Sequence, residues 1–247
     1  MRYYEPEHEI AYRKIRARGF SQWNDLFEGD EQWTFDQFQN RAFLERSLAQ
    51  LELPAPSATR VLEYGCGTGP AACFLAGLGF RVDAIDLIPE AIEIARDLAR
   101  QRNVAVNYAV ADVCALAAKT SIERYDLIVD SYCLQSIVTD DDRSALYAAV
   151  RCRLAPQGYY LVSTALRRPN AIDGRGDHYD TSIGILFTEV PVSSDVDELV
   201  EIDGAWYAPH RRHHTPAALR AELQAAGFRV VTMDASDSAD VICRLDD

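Results

Sequence analysis

The sequence has no apolar run approaching the roughly 18 residues needed to cross a bilayer. Its opening stretch, MRYYEPEHEI, carries acids where a secretion signal needs an apolar core. Neither insertion into a membrane nor export is expected, and the chain is assigned to the cytoplasm. The six cysteines (Cys66, Cys73, Cys114, Cys133, Cys152 and Cys243) form no C-x-x-C pair and no zinc spacing. They read as reduced core thiols, which excludes a disulfide frame or a thiolate metal centre. Basic residues are scarce: 25 Lys and Arg stand against 38 Asp and Glu, a formal charge of −13. Such a surface repels phosphate backbones and anionic lipid, so neither nucleic acid nor membrane is expected as a partner. There is no internal repeat and no low-complexity tract.

What is present is enough apolar material, 48% of 247 residues, for one sizeable core. The first fifty residues are aromatic and charged, with Phe43, Leu44, Leu48 and Leu51 at helical spacing, and LELPAPSATR ends the segment with two prolines. From residue 60 short apolar runs alternate with helical stretches: Arg60 to Tyr64, a helix over Ala71 to Leu78, Arg81 to Asp86, and a helix from Pro89 to Arg102. Val104 to Val110, Tyr125 to Ser131, a helix over Asp140 to Leu154, and Tyr159 to Thr164 follow. Alternation of that kind predicts an α/β fold with a parallel sheet and right-handed crossovers. Thr139 with Asp142 matches a capping-box-like helix start, with Leu146, Val150 and Leu154 as the apolar stripe behind it. The alternation stops for about fifty residues after 165. It resumes in TPAALRAELQAAG, where Gly227 suits a C-cap, and closes with FRVVTM and ADVICRL as an antiparallel hairpin.

The first run leads into VLEYGCGTGP, with Gly65, Gly67 and Gly69 between a strand and a helix. Glycines there let backbone approach a ligand, and the helix N-terminus offers unpaired N–H groups. The dinucleotide fingerprint is G-x-G-x-x-G, whereas this loop is G-x-G-x-G with Glu63 two residues before it. A carboxylate at that point repels a pyrophosphate and attracts an ammonium group. Asp86 closes the second strand about twenty residues on, where an acid can accept both hydroxyls of a ribose. Asp112 follows the third strand, where it could accept from an adenine amino group.

VLEYGCGTGP, VDAIDLIPEAIEIA, VADV, YDLIVDSYCLQSI and RLAPQGYYLVST resemble the successive motifs of class I S-adenosylmethionine-dependent methyltransferases over about residues 58 to 165. The resemblance implies a Rossmann-like, doubly wound, mostly parallel seven-stranded sheet with an antiparallel C-terminal hairpin. It also implies a division into a helical cap over 1–57, a donor-binding core over 58–165, an insertion over 166–214 forming the acceptor pocket, and the rest of the core over 215–247. Carried onto these positions, S-adenosylmethionine, with S-adenosylhomocysteine as product, would lie against Glu63, Gly65, Cys66, Gly67 and Gly69. Asp86 would hold the ribose, Asp112 with Val113 would border the adenine, Leu87 and Ala111 would be further donor contacts, and Asp130 and Ser131 would lie under the donor. Gln157 stands where the family often has a second glycine.

Methyl transfer requires chiefly that an acceptor lone pair be aligned with the bond to the methyl group. If the acceptor is a hydroxyl or a protonated amine, a histidine base helps. Four of the five histidines, His178, His210, His213 and His214, fall in the 166–214 segment, and His178 and His213 are taken as the candidate bases. Tyr132, Gln135, His210 and Arg211 are the candidate acceptor contacts, Arg211 and its neighbour Arg212 suiting a carboxylate. H-x-x-H-H is not a common ligand spacing, so no metal is expected. Tyr3, Tyr4, Phe20, Trp23 and Trp33 could form a lid over the donor. The expected partner is a small-molecule acceptor, with the protein a monomer or homodimer. A nicotinamide-dependent oxidoreductase and a non-catalytic donor-binding module are the competing interpretations.

Overall fold

The computed structural model describes residues 3–26, 35–118, 123–171, 173–174, 176–191 and 197–246. Trp33 lies outside them.

The chain opens with helix α1 (Glu5–Arg18), two single 3-10 turns and α2 (Arg41–Leu48). The core then alternates β1 (Arg60–Tyr64), α3 (Pro70–Gly77), β2 (Arg81–Asp86), α4 (Pro89–Arg102), β3 (Val106–Val110), β4 (Tyr125–Ser131), α5 (Asp140–Arg153) and β5 (Leu154–Thr164). Four further strands follow, β6 (Asp177–Asp180), β7 (Ile185–Glu189), β8 (Val200–Ile202) and β9 (Ala205–Arg212). The chain closes with α6 (Pro216–Ala225), β10 (Phe228–Asp234) and β11 (Ala239–Leu245).

The main sheet has seven strands in the order β3-β2-β1-β4-β5-β11-β10, with β1 to β5 parallel and β11 and β10 antiparallel. It is the expected α/β architecture with its C-terminal hairpin. Side chains alternate between its two faces. On the central strands Val61, Leu127, Val129 and Leu161 pack with α2, α3 and α4, while Leu62, Ile128, Tyr160 and Val162 pack with α5 and α6. Covering on both faces is why these strands read as unbroken apolar runs. Capping chemistry fixes the helix starts: the Thr139 hydroxyl accepts from the Asp142 N–H and the Thr215 hydroxyl from the Ala218 N–H, each at 3.3 Å.

Strand progression runs from β1 outward to β3 and then restarts with β4 on the other side of β1. Their carboxyl ends therefore diverge into a crevice, the place where open α/β sheets bind ligands. Two elements roof it. Helix α1 packs Tyr12 and Ile15 against Ile88 and Ala91 at the start of α4. The four strands β6 to β9 form a separate antiparallel sheet, in the order β6-β7-β9-β8, which the sequence pattern did not resolve. Its β9 packs against the 3-10 turn Leu134–Ser136 that follows β4. β5 begins at Leu154 and not at Tyr159, because its pairing with β4 shifts register between Tyr125 and Leu127 and so carries Pro156 and Gly158 within the strand.

Candidate active site

Above the crevice lies a cavity of about 500 Å³, within the range of small-molecule sites. Its floor is the carboxyl rim of the sheet and the glycine loop. Gly65 and Gly67 take φ of 59° and 54°. A side chain at Gly65 would collide with the Cys133 thiol, and one at Gly67 would lie 2.9 Å from the Tyr12 hydroxyl. Both positions therefore need glycine twice over, for conformation and for space.

Three buried carboxylates support this rim, and they differ in what occupies their oxygens. Asp86 is committed to backbone: Oδ2 accepts from Gly67 N–H and Oδ1 from Ile88 N–H, each at 2.9 Å, so it ties the glycine loop to the start of α4. Burial pushes it up to about 6 against the pull of those N–H groups. Asp130 accepts from Cys133 N–H at 2.7 Å and from Leu134 N–H at 3.1 Å, which fixes the turn after β4, and burial pushes it up to about 7. Glu63 is different. Asn40 Nδ2 donates to Ser131 Oγ (3.0 Å), which donates to Glu63 Oε1 (2.8 Å), while Glu63 Oε2 is buried and has no hydrogen-bond partner. Burial pushes Glu63 up to about 8, against the pull of the Ser131 hydroxyl and the nearby Ala72 N–H, so it holds a proton at neutral pH.

The opposite wall comes from α1 and β9. Arg211 grips Glu7 with both guanidinium nitrogens (2.8 and 2.9 Å), and His210 Nε2 lies 3.2 Å from the same carboxylate. Burial alone would raise Glu7, but the His210 contact and the Arg211 charge hold it well below the usual carboxylate range. His8 Nδ1 bonds the Tyr4 carbonyl (2.6 Å), and its ring stacks obliquely on Trp23 at 5.0 Å. Burial first, and then Arg211, lower the His8 pKa. Tyr4, Tyr12, Trp23, Phe38 and Tyr132 make much of the remaining wall aromatic.

Among the residues singled out from sequence, Glu63, Gly65, Cys66, Gly67, Asp86, Leu87, Ala111, Asp112, Val113 and Ser131 line the cavity, as do Tyr132, Gln135, His210 and Arg211. Asp112 uses Oδ1 to accept from Cys114 N–H (2.8 Å), and Gln135 Oε1 accepts from Ala165 N–H (3.1 Å). Tyr132 sits at φ 65°, turning the chain sharply after β4, and its hydroxyl meets Ser238 Oγ at 2.9 Å. Two expected donor contacts do not reach the cavity wall. Gly69 is packed under Tyr108 and Ala95, and Asp130 is sealed beneath the turn it holds.

The candidate bases His178 and His213 are not brought to the cavity either. β6, which carries His178, is an outer strand separated from β9 by β7, so His178 is exposed. His213 lies beyond the end of β9, with its pKa brought down to about 4 by burial and by Arg211. Nor does His214 line the cavity; it faces Glu222 at 3.5 Å. Arg212 turns to the Val138 carbonyl (2.9 Å) and Asp140. Tyr3 is structural: its hydroxyl accepts from Val138 N–H at 2.6 Å. Glu7, His8 and Tyr12 were missed. The recurrence of Tyr4, His8 and Tyr12 at i, i+4 and i+8 was the available signal for one helix face turned inward. Among the described residues, no group of three or more His, Cys, Asp or Glu is placed to hold a metal ion, and no helix is long and apolar enough to cross a membrane.

Comparison with known proteins adds kinship to this geometry. The family described as "Methyltransferase domain" matches residues 35–233. A ubiquinone biosynthesis O-methyltransferase of Xanthomonas axonopodis pv. citri is 36% identical over 132 residues, 53% of this chain and 52% of that protein. The chain thus spans about half the length of the curated relatives it matches. Among solved structures, an S-adenosylmethionine-dependent methyltransferase from Clostridium acetobutylicum superposes with a TM-score of 0.66 at 15% identity, covering 96% of this chain and 99% of the other. The 1,6-didemethyltoxoflavin-N1-methyltransferase of Burkholderia thailandensis, solved with its acceptor and S-adenosylhomocysteine, superposes at 0.61 with 18% identity, covering 98% and 90%. At these identities the two structures attest the shared fold.

Proposed function

The chain belongs to the methyltransferase-domain family, and from that premise we propose that it moves a methyl group from S-adenosylmethionine to an oxygen of a small-molecule acceptor held in the cavity. The observation that carries this is the buried, unpartnered Oε2 of Glu63 beside a glycine loop that no side chain could share. A lone carboxylate oxygen in that position suits an ammonium group and repels a pyrophosphate, which disfavours a nicotinamide nucleotide. When bound, S-adenosylmethionine supplies an electrophilic methyl group on a sulfonium.

The chain's own residues supply the rest. Glu63 would take the ammonium of the methionine part, the free lone pairs of Asp86 the ribose hydroxyls, and Leu87, Val113 and Asp112 the adenine. α1 and β9 close over the acceptor and exclude water. Positioning of this kind can supply on the order of 7–11 kcal/mol of the barrier. Oxygen as the accepting atom is favoured by the O-methyltransferase relatives, and the aromatic walls suit a flat acceptor such as a phenol. Residues 1–57 would then act as a cap and 166–214 as the acceptor wall. The free thiols suit a reducing compartment such as the cytoplasm.

Calorimetry with S-adenosylhomocysteine and with NAD tests the proposal. Binding of the first and none of the second is expected, and a methyl-release assay over a phenol panel should give turnover. Binding of NAD alone would overturn it.

A further inference from the structure

Resting on the methyl-transfer reading above, we propose that His210 is the general base for an acceptor hydroxyl and that Glu7 is the positioning residue that fixes its tautomer. Arg211 holds Glu7 as an anion that can only accept, and His210 Nε2 lies 3.2 Å from it, a contact that favours the tautomer with its hydrogen on Nε2. That leaves a lone pair on Nδ1, which is buried and has no hydrogen-bond partner. An unpaired buried acceptor is costly, and His210 lines the cavity; on this proposal an acceptor O–H, brought in as the imidazole turns toward the cavity, completes that lone pair.

The arrangement is clamped from both sides. Arg211 grips both oxygens of Glu7 and also donates to the His210 carbonyl at 2.8 Å, so strand β9 and helix α1 are tied together beside the imidazole. The titratable and charged groups near it are Glu7, Arg211, His8 and His213. Burial and Arg211 lower the proton affinity of His8, and its Nδ1 is taken by the Tyr4 carbonyl. Arg211 is already paired, so the wall offers no free cation from this residue to an acceptor carboxylate, and an uncharged phenol is the acceptor class that suits it.

In the step, the acceptor O–H bond breaks and its proton passes to Nδ1. The oxygen pair forms the new C–O bond as the C–S pair stays on sulfur. The sulfonium charge is lost, and the imidazole gains one positive charge beside the Glu7 carboxylate, which stabilises it.

Catechol, which must lose a proton, and 4-nitrophenol, already largely ionised at slightly alkaline pH, are the two probes. A His210→Gln side chain can still donate to Glu7 but has no Nδ1 lone pair. It is expected to lower kcat on catechol about a hundredfold or more, with a much smaller loss on 4-nitrophenol and unchanged affinity for S-adenosylhomocysteine. Glu7→Gln should lower kcat on catechol with KM little changed, and Glu7→Asp should recover part of it. In the free protein, nitrogen-15 spectra of the histidines should find His210 carrying its hydrogen on Nε2, with that preference weakened in Glu7→Gln. Equal losses on the two phenols, the same selective loss in His8→Gln in place of His210→Gln, hydrogen on Nδ1, or no turnover of either phenol by enzyme that binds S-adenosylhomocysteine would each overturn the proposal. Failure of the wild type to bind S-adenosylhomocysteine at all would instead remove the functional reading beneath it.

Discussion

The two walls of the cavity each present a glutamate, and the two are held on opposite sides of neutrality. Glu63 on the sheet wall is fully buried beside the Ser131 hydroxyl and the Ala72 N–H with no cation, so it keeps its proton up to about pH 8. Glu7 on the roof is partly exposed but gripped by Arg211, so it stays ionised far into acid. Burial with no cation beside it thus makes one carboxyl a store for an incoming cation, while a guanidinium that outweighs burial makes the other a fixed anion. The proposed donor wall awaits its counter-charge, whereas the roof has its own.

Breaking the sheet wall should have the largest effect. Glu63→Gln keeps the shape and the Ser131 contact but cannot ionise. Its affinity for S-adenosylhomocysteine should fall about a hundredfold or more by calorimetry, in line with the 2–5 kcal/mol typical of a buried charge contact. The same variant should be no less stable than wild type at pH 8. The sign follows from linkage: Glu63 titrates higher folded than unfolded, so its contribution to stability is complete below about pH 4.5 and is lost as pH rises toward 8. A marked drop in melting temperature at pH 8 would contradict this. For the roof, Glu7→Gln leaves the largely buried Arg211 without its partner and should cost about 1–2 kcal/mol in urea unfolding, discounted for the exposure of Glu7. Here the linkage runs the other way, since the pair's contribution is present above about pH 4.5 and lost in acid. Donor affinity should change little.

The smallest expected effect sharpens the comparison by asking what an equally buried acid does when its oxygens are already used. Asp130→Asn unpairs one N–H of the turn after β4 and should cost about 1–2 kcal/mol of stability, with donor affinity within a few-fold of wild type. A large loss of affinity would make Asp130 a ligand contact after all.

The sheet wall was also the legible one. β1, β2, α4 and β4 begin and end at the residues read from sequence, because each is an apolar run or stripe punctuated by glycine, proline or a carboxylate. Carboxylates at the ends of consecutive strands can be read as a site, but not which oxygens are free, since that depends on N–H groups from turns such as Cys133–Leu134. The roof was hardly legible. β6, β7, β8 and β9 are short and half-buried, β9 contains Pro209, and its pairing with β7 shifts register at Leu186/Phe187. One local signal was available: Asp203 and Gly204, at φ 52° and 82°, make the two-residue turn of the β8–β9 hairpin. Histidines inside this segment could not be sorted by sequence distance, since only three positions separate His210, on β9 at the cavity, from His213 beyond the strand's end, and an intervening strand keeps His178 away.

Proton release on donor binding tests the sheet wall most directly. If Glu63 stores a proton for a cation to displace, titrating S-adenosylhomocysteine into the wild type at pH 7, in buffers of differing ionisation enthalpy, should give nearly one proton released, with affinity rising about tenfold per pH unit from 6 toward 8. Glu63→Gln should release none. Full-affinity binding by the wild type with no proton released and no dependence on pH would contradict a protonated Glu63 poised for the donor's ammonium group.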